Sequence, residues 1–84
     1  MRVYFITVRS VTFGQRAERE LRKGGFACTL QRTPRWMEEQ GCGYCLRLWT
    51  SDATAAVERL RESWIPLRKI YAQRSDGQLE EVTI

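Results

Sequence analysis

The amino-acid sequence predicts an α+β fold: a two-layer sandwich in the order βαββαβ, with an antiparallel sheet carrying two helices on one face. Three observations predict it. Four short runs alternate apolar and polar residues with the period of a strand, and two longer stretches repeat apolar residues at helical spacing. Each helical stretch lies between two strands, after the first and after the third. Gly24-Gly25, Pro66 and Asp76-Gly77 punctuate the series where the chain must turn.

Val3 to Val8 is β-branched and aromatic, placing Tyr4, Ile6 and Val8 on one face and Val3, Phe5 and Thr7 on the other. Thr12 reads as the N-cap of the first helix, with Gln15 completing a capping box. That helix runs from about Phe13 to Lys23 with Phe13, Ala17 and Leu21 as its apolar stripe and Glu18–Arg22 as a surface i,i+4 pair. Gly24-Gly25 ends it, because glycine accepts the left-handed conformation of a C-terminal cap.

Phe26 to Arg32 forms the second strand, with Phe26, Cys28 and Leu30 inward. After a loop from Thr33 to Gly41, Tyr44 to Trp49 forms the third, with Tyr44, Leu46 and Leu48 on one face and Cys45, Arg47 and Trp49 on the other. Ser51 or Asp52 caps the second helix, whose stripe is Ala53, Ala56, Val57, Leu60 and Trp64, and Pro66 closes it. Arg68 to Gln73 is the fourth strand. Beyond Asp76-Gly77, Gln78 to Thr83 returns as a short fifth strand or remains a tail. This arrangement is the ferredoxin-like sandwich, a single domain over 1–84 with its core in about 2–73 and residues 78–84 as the short strand or tail.

The chain has 84 residues, fourteen Lys+Arg against ten Asp+Glu, three cysteines and no histidine. Without histidine there is no Ser-His-Asp or Cys-His pair, no imidazole metal ligand and no histidine pH switch. The longest apolar run, Val3 to Ile6, cannot span a membrane. An odd cysteine count without a secretory signal points to reduced thiols in the cytoplasm. The positive charge gathers in residues 1–25, at Arg2, Arg9, Arg16, Arg19, Arg22 and Lys23, against two acids there. Its ordinary reading is a solvated helix face, so the charge alone does not argue for nucleic acid.

The segment from Arg32 to Cys45 is the least ordinary. Cys42 stands between Gly41 and Gly43 where a loop enters a strand, so its thiol is sterically open. Arg35, seven residues earlier, can fold back and favour the thiolate. The same residues also suit a plain turn in which Cys42 is only small. Cys42-Gly-Tyr-Cys45 matches the C-x-x-C form, but the residues after it read as strand, whereas a dithiol oxidoreductase needs its first cysteine at a helix N-terminus. No metal site is expected from three cysteines alone, and Cys28 is a core residue. Gly41-Cys42-Gly43-Tyr44 resembles the glycine-aromatic motif of RNA-recognition domains, except that Cys42 stands where a stacking aromatic is needed. Phe5 and Trp49 can still lie on the open sheet face, as a surface for single-stranded RNA, for a small ligand or for a homodimer.

Ala17-Glu18, Leu21, Gly25, Thr33-Pro34-Arg35 and Cys42-Gly43 before a strand resemble the small bacterial selenium/sulfur carrier-like family, over most of the chain to about Tyr71. The resemblance implies a carrier that holds sulfur or selenium on a cysteine as a persulfide-type adduct, working with a donor or acceptor protein and with no organic cofactor. It makes Cys42 the carrier thiol, Arg35 the group that stabilises the anion, and Thr33, Pro34, Gly41 and Gly43 the residues that shape the loop. Cys45, a second thiol, stands where the family usually has a small residue.

Overall fold

The computed structural model describes residues 1–34 and 43–84. Its elements are β1 (Arg2–Val8), α1 (Val11–Lys23), β2 (Ala27–Arg32), β3 (Tyr44–Thr50), α2 (Ala53–Glu62), β4 (Leu67–Gln73) and β5 (Leu79–Val82). The strands form one sheet in the order β2-β3-β1-β4-β5, every ladder antiparallel. This is the expected ferredoxin-like α+β sandwich, extended by one edge strand. Residues 79–82 form the short fifth strand: Tyr71 pairs with Glu81 and Gln73 with Leu79. A loop with Gly77 at φ 87° closes this hairpin, and Gln78 N–H donates to Asp76 Oδ1 at 3.0 Å.

The period-two alternation sorts side chains as expected. Ile6, Val8, Cys28, Leu46, Leu48 and Ile70 face the helices and pack on Ala17, Leu21, Ala56, Val57 and Leu60. Phe5 and Cys45 form a smaller buried cluster with Val3, Tyr71 and Leu79, on the other side of the alternation.

Two helix boundaries differ from the sequence reading. Ser10, not Thr12, caps α1: its backbone is extended and its Oγ accepts from Phe13 N–H at 3.2 Å. Val11 and Thr12 are tolerated in a first turn, so the helix starts as soon as the β1 ladder ends, two residues before the expected capping box. At the other helix, α2 stops at Glu62 and Trp64 lies outside it, 87% exposed. Pro66 disfavours helical geometry at Ile65, so the helix must end earlier. Ile65 N–H then closes back on Leu60 carbonyl at 3.1 Å, and Ile65 takes the buried place that the apolar spacing assigned to Trp64.

Helix α1 seats closely and guards the open edge of β2. Gly14 is buried, and a Cβ there would come within 2.8 Å of Leu30 Cδ1 and 3.3 Å of Val8 Cγ2. The Glu18–Arg22 pair (3.6 Å) does more than stabilise a helix surface: Glu18 Oε2 accepts from Leu30 N–H at 2.7 Å, and Arg22 Nε donates to Cys28 carbonyl at 3.0 Å. Both satisfy backbone groups of an edge strand that would otherwise invite another strand.

At the β1–β4 ladder the register slips between Ile6 and Val8. The buried Thr7 hydroxyl bridges the slip, accepting from Lys69 N–H at 2.9 Å and donating to Lys69 carbonyl at 3.3 Å. Thr7→Val keeps the shape and removes both bonds. It is expected to lower stability by about 1–3 kcal/mol, read from the midpoint of urea unfolding.

Candidate functional site

The connection between β2 and β3 leaves and re-enters the sheet at one end, and its two flanks are held together by backbone. Arg32 pairs with Tyr44 as the last register pair, and beyond it Thr33 N–H donates to Gly43 carbonyl at 2.8 Å. The Arg32 guanidinium lies 5.3 Å from the centroid of the Tyr44 ring, a cation–π contact at the same end. Gly43 is buried with φ 81°, a conformation that costs an L-residue with a side chain about 1–2 kcal/mol. This is the physical reason for glycine after Cys42: the chain turns into β3 in the left-handed region. Thr33 and Pro34, on the other flank, are half-buried. Arg35, Gly41 and Cys42 lie outside the described residues.

Both remaining thiols are withdrawn from solvent. Cys28 sits in β2 against the helices, 6% exposed. Burial first, and the Glu18 carboxylate second, push its thiol up from 9.0 to about 12, while Arg22 pulls the other way. It is therefore a protonated core residue at neutral pH, as expected. Cys45 is the second residue of β3, fully buried beside Phe5, and pairs across the ladders with Thr7 and Gln31. Because Cys45 stands in a strand, the C-x-x-C segment runs into a β-ladder and not into a helix, so the helix N-terminal dipole of dithiol oxidoreductases does not act on it.

The open-face aromatics separate. Phe5 is buried under its neighbours, whereas Trp49 is half exposed. A stacking platform needs bare ring faces, and Phe5 does not offer one. Among the described residues no group of three potential metal ligands is found, and no helix is long and apolar enough to cross a membrane.

The sequence reading gathered Arg9 and Arg16 with the first helix but did not anticipate that residues from the end of α2 and the start of β4 extend that basic surface at this end of the sheet. Thr7 pairs with Cys45 and Val8 with Leu67, so the end of β1 and the starts of β3 and β4 share one rim. Arg9 follows β1 there, and Pro66, Arg68 and Lys69 lie across a shallow groove from it. The signal was spread over residues 9, 61 and 68, which only the topology brings close.

Searches of curated proteins and of solved structures returned no match. A family model matches residues 3–72 of the 84, from β1 into β4, and covers both flanks of the β2–β3 connection. By that match the chain belongs to the family described as putative Se/S carrier protein-like.

Proposed function

We propose that the protein carries sulfur or selenium on Cys42 as a persulfide-type adduct for partner proteins, as a carrier and not an enzyme in its own right. The observation that carries this reading is the withdrawal of the other two thiols. In a chain of this family, Cys28 and Cys45 are both buried, and Cys28 is held protonated. Cys42, followed by a glycine in the left-handed region at the end of the sheet, is the thiol left for exchange.

The Cys42 thiolate attacks the outer sulfur of a donor persulfide. A bond forms between Cys42 Sγ and that sulfur as the donor's S–S bond breaks, and the donor leaves as a thiolate. No net oxidation occurs. Selenium follows the same exchange, giving a Cys–S–Se⁻ adduct. An acceptor nucleophile then attacks the outer chalcogen and Cys42 leaves as thiolate. Arg35 stabilises the anion by charge and orients it. Carrying implies partner proteins that load and unload the thiol. A cytoplasmic setting, where thiols stay reduced, suits this chemistry.

Incubation with a cysteine desulfurase and cysteine, followed by intact-mass measurement, tests it. The expected result is a gain of one sulfur atom that dithiothreitol reverses. The gain persists in Cys28→Ser and Cys45→Ser and is absent in Cys42→Ser. Loading that survives in Cys42→Ser, or no gain under conditions that load another persulfide carrier, would overturn the proposal.

A further inference from the structure

Trp64 breaks two rules at once. Its φ is 58°, in the region that glycine ordinarily fills, and its indole is 87% exposed. At the matching end of α1, Gly25 takes the same role with φ 86°. There the Gly25 and Phe26 N–H groups bond back to the Arg22 and Leu21 carbonyls, as those of Trp64 and Ile65 bond to Arg61 and Leu60. The fold therefore has no need of tryptophan at this position. A large aromatic held in a strained cap and left in water is the profile of an anchor for something outside the chain.

Its surroundings say what that is. Trp64 borders a shallow groove lined by Phe13, Ile65, Pro66, Leu67 and Arg61. Pro66 and Leu67 also border the depression that holds Arg9 and Arg68, so apolar and basic surfaces are continuous. Arg16 Nη2 lies 3.5 Å from Ser63 carbonyl, with its guanidinium 5.8 Å from the Phe13 ring centroid. Among the described residues, none of Arg9, Arg16, Arg61 and Arg68 pairs with a carboxylate. Among the described residues, the acids of the adjoining elements are Glu58 and Glu62 of α2, Glu18 and Glu20 of α1, which pair with Arg22 and Arg59, and Glu80 and Glu81 of β5, which pair with Arg2 and Lys69. Four guanidinium groups that no described carboxylate compensates, around an aliphatic and aromatic groove, fit an acidic protein segment with an apolar anchor. Nucleobase stacking would need more than one bare ring, and Phe13 is half-buried.

We infer that the Trp64 groove and its arginine rim form a docking surface for an acidic protein segment bearing an exposed apolar side chain. The surface lies on the rim where β3 starts, two strand spacings (about 10 Å) from it. A segment docked here is seated at the end of the sheet where β3 starts, and the inference does not depend on Cys42 carrying a chalcogen.

The test is fluorescence anisotropy of a labelled peptide with Leu-Phe between runs of glutamate, titrated with the full chain. Binding is expected to be saturable, to weaken with salt, and to fall at least about tenfold in Trp64→Gly and in the double variant Arg9→Glu, Arg68→Glu. Trp64→Gly suits the left-handed backbone, so an unchanged circular-dichroism melt excludes unfolding as the cause; the charge-reversed variant serves independently. A peptide with Ser-Ser in place of Leu-Phe should bind at least about tenfold more weakly. No binding to the wild type, equal binding by the Ser-Ser peptide, or retention by Trp64→Gly would each overturn the inference. So would tighter binding of single-stranded RNA to this surface, or a wild-type dimer that Trp64→Gly dissociates.

Discussion

In the folded protein at pH 8, Cys28 will react with iodoacetamide about a thousandfold more slowly than in the urea-unfolded chain. The thiolate is the nucleophile, and raising the thiol from 9.0 to about 12 removes nearly all of it. Limited access to a residue 6% exposed adds to the effect. The same shift sets a pH dependence of stability. Above pH 9 the unfolded chain gives up the Cys28 proton and the folded chain keeps it until about pH 12. The unfolded state then binds fewer protons, so stability is full below pH 9 and declines as pH rises toward 12, by up to about 4 kcal/mol. The informative quantity is the difference between wild type and Cys28→Ala in urea unfolding at each pH, in which groups common to both proteins cancel. Cys28→Ala is expected to lose less stability on going to high pH. Parallel curves for the two proteins would show that Cys28 ionises as freely folded as unfolded.

Leu46→Ala is expected to destabilise the protein by about 3–5 kcal/mol, read from urea or thermal unfolding. Leu46 is fully buried within a row that crosses the whole sheet on its helix-facing side. Leu30 pairs with Leu46, Leu46 with Ile6, Ile6 with Ile70, and Ile70 with Val82. Truncation opens a cavity between α1 and the two strands that flank β3, and strands tied by ladders on both sides cannot collapse into it. Leu79→Ala, at the half-buried edge on the opposite face, should cost clearly less. A Leu46→Ala effect no larger than that of Leu79→Ala would mean that this row is not the centre of the core.

The strands were legible because a half-buried sheet imposes a period of two that turn residues bracket cleanly. Cys28 and Cys45 were placed on opposite faces by that alternation alone. Trp64 was misplaced because periodicity counts apolar residues without weighing the constraint that Pro66 puts on its predecessor. Ser10 was missed for a similar reason: the cap was sought next to the first strongly apolar helical residue, Phe13, whereas the helix begins with Val11. Gly14 gave no local signal, since its role is to let α1 approach Leu30 and Val8 from two other elements. The flanks of the candidate site were read from the Thr-Pro-Arg and Cys-Gly segments. The Thr33–Gly43 hydrogen bond that closes them was not, because it joins residues ten apart.

By itself the sequence determined the element order, the faces of the first three strands, and, over residues 3–72, membership of the family described as putative Se/S carrier protein-like. These are matters of local period, turn chemistry and motif, which short stretches of chain contain in full. Only the tertiary structure decided that Glu18 and Arg22 shield an edge strand, and that Arg9 meets Arg68 across a depression continuous with the groove of Arg61 and Trp64. Each of those depends on strand order and register. They bring together residues some fifty positions apart, a proximity that no local pattern encodes.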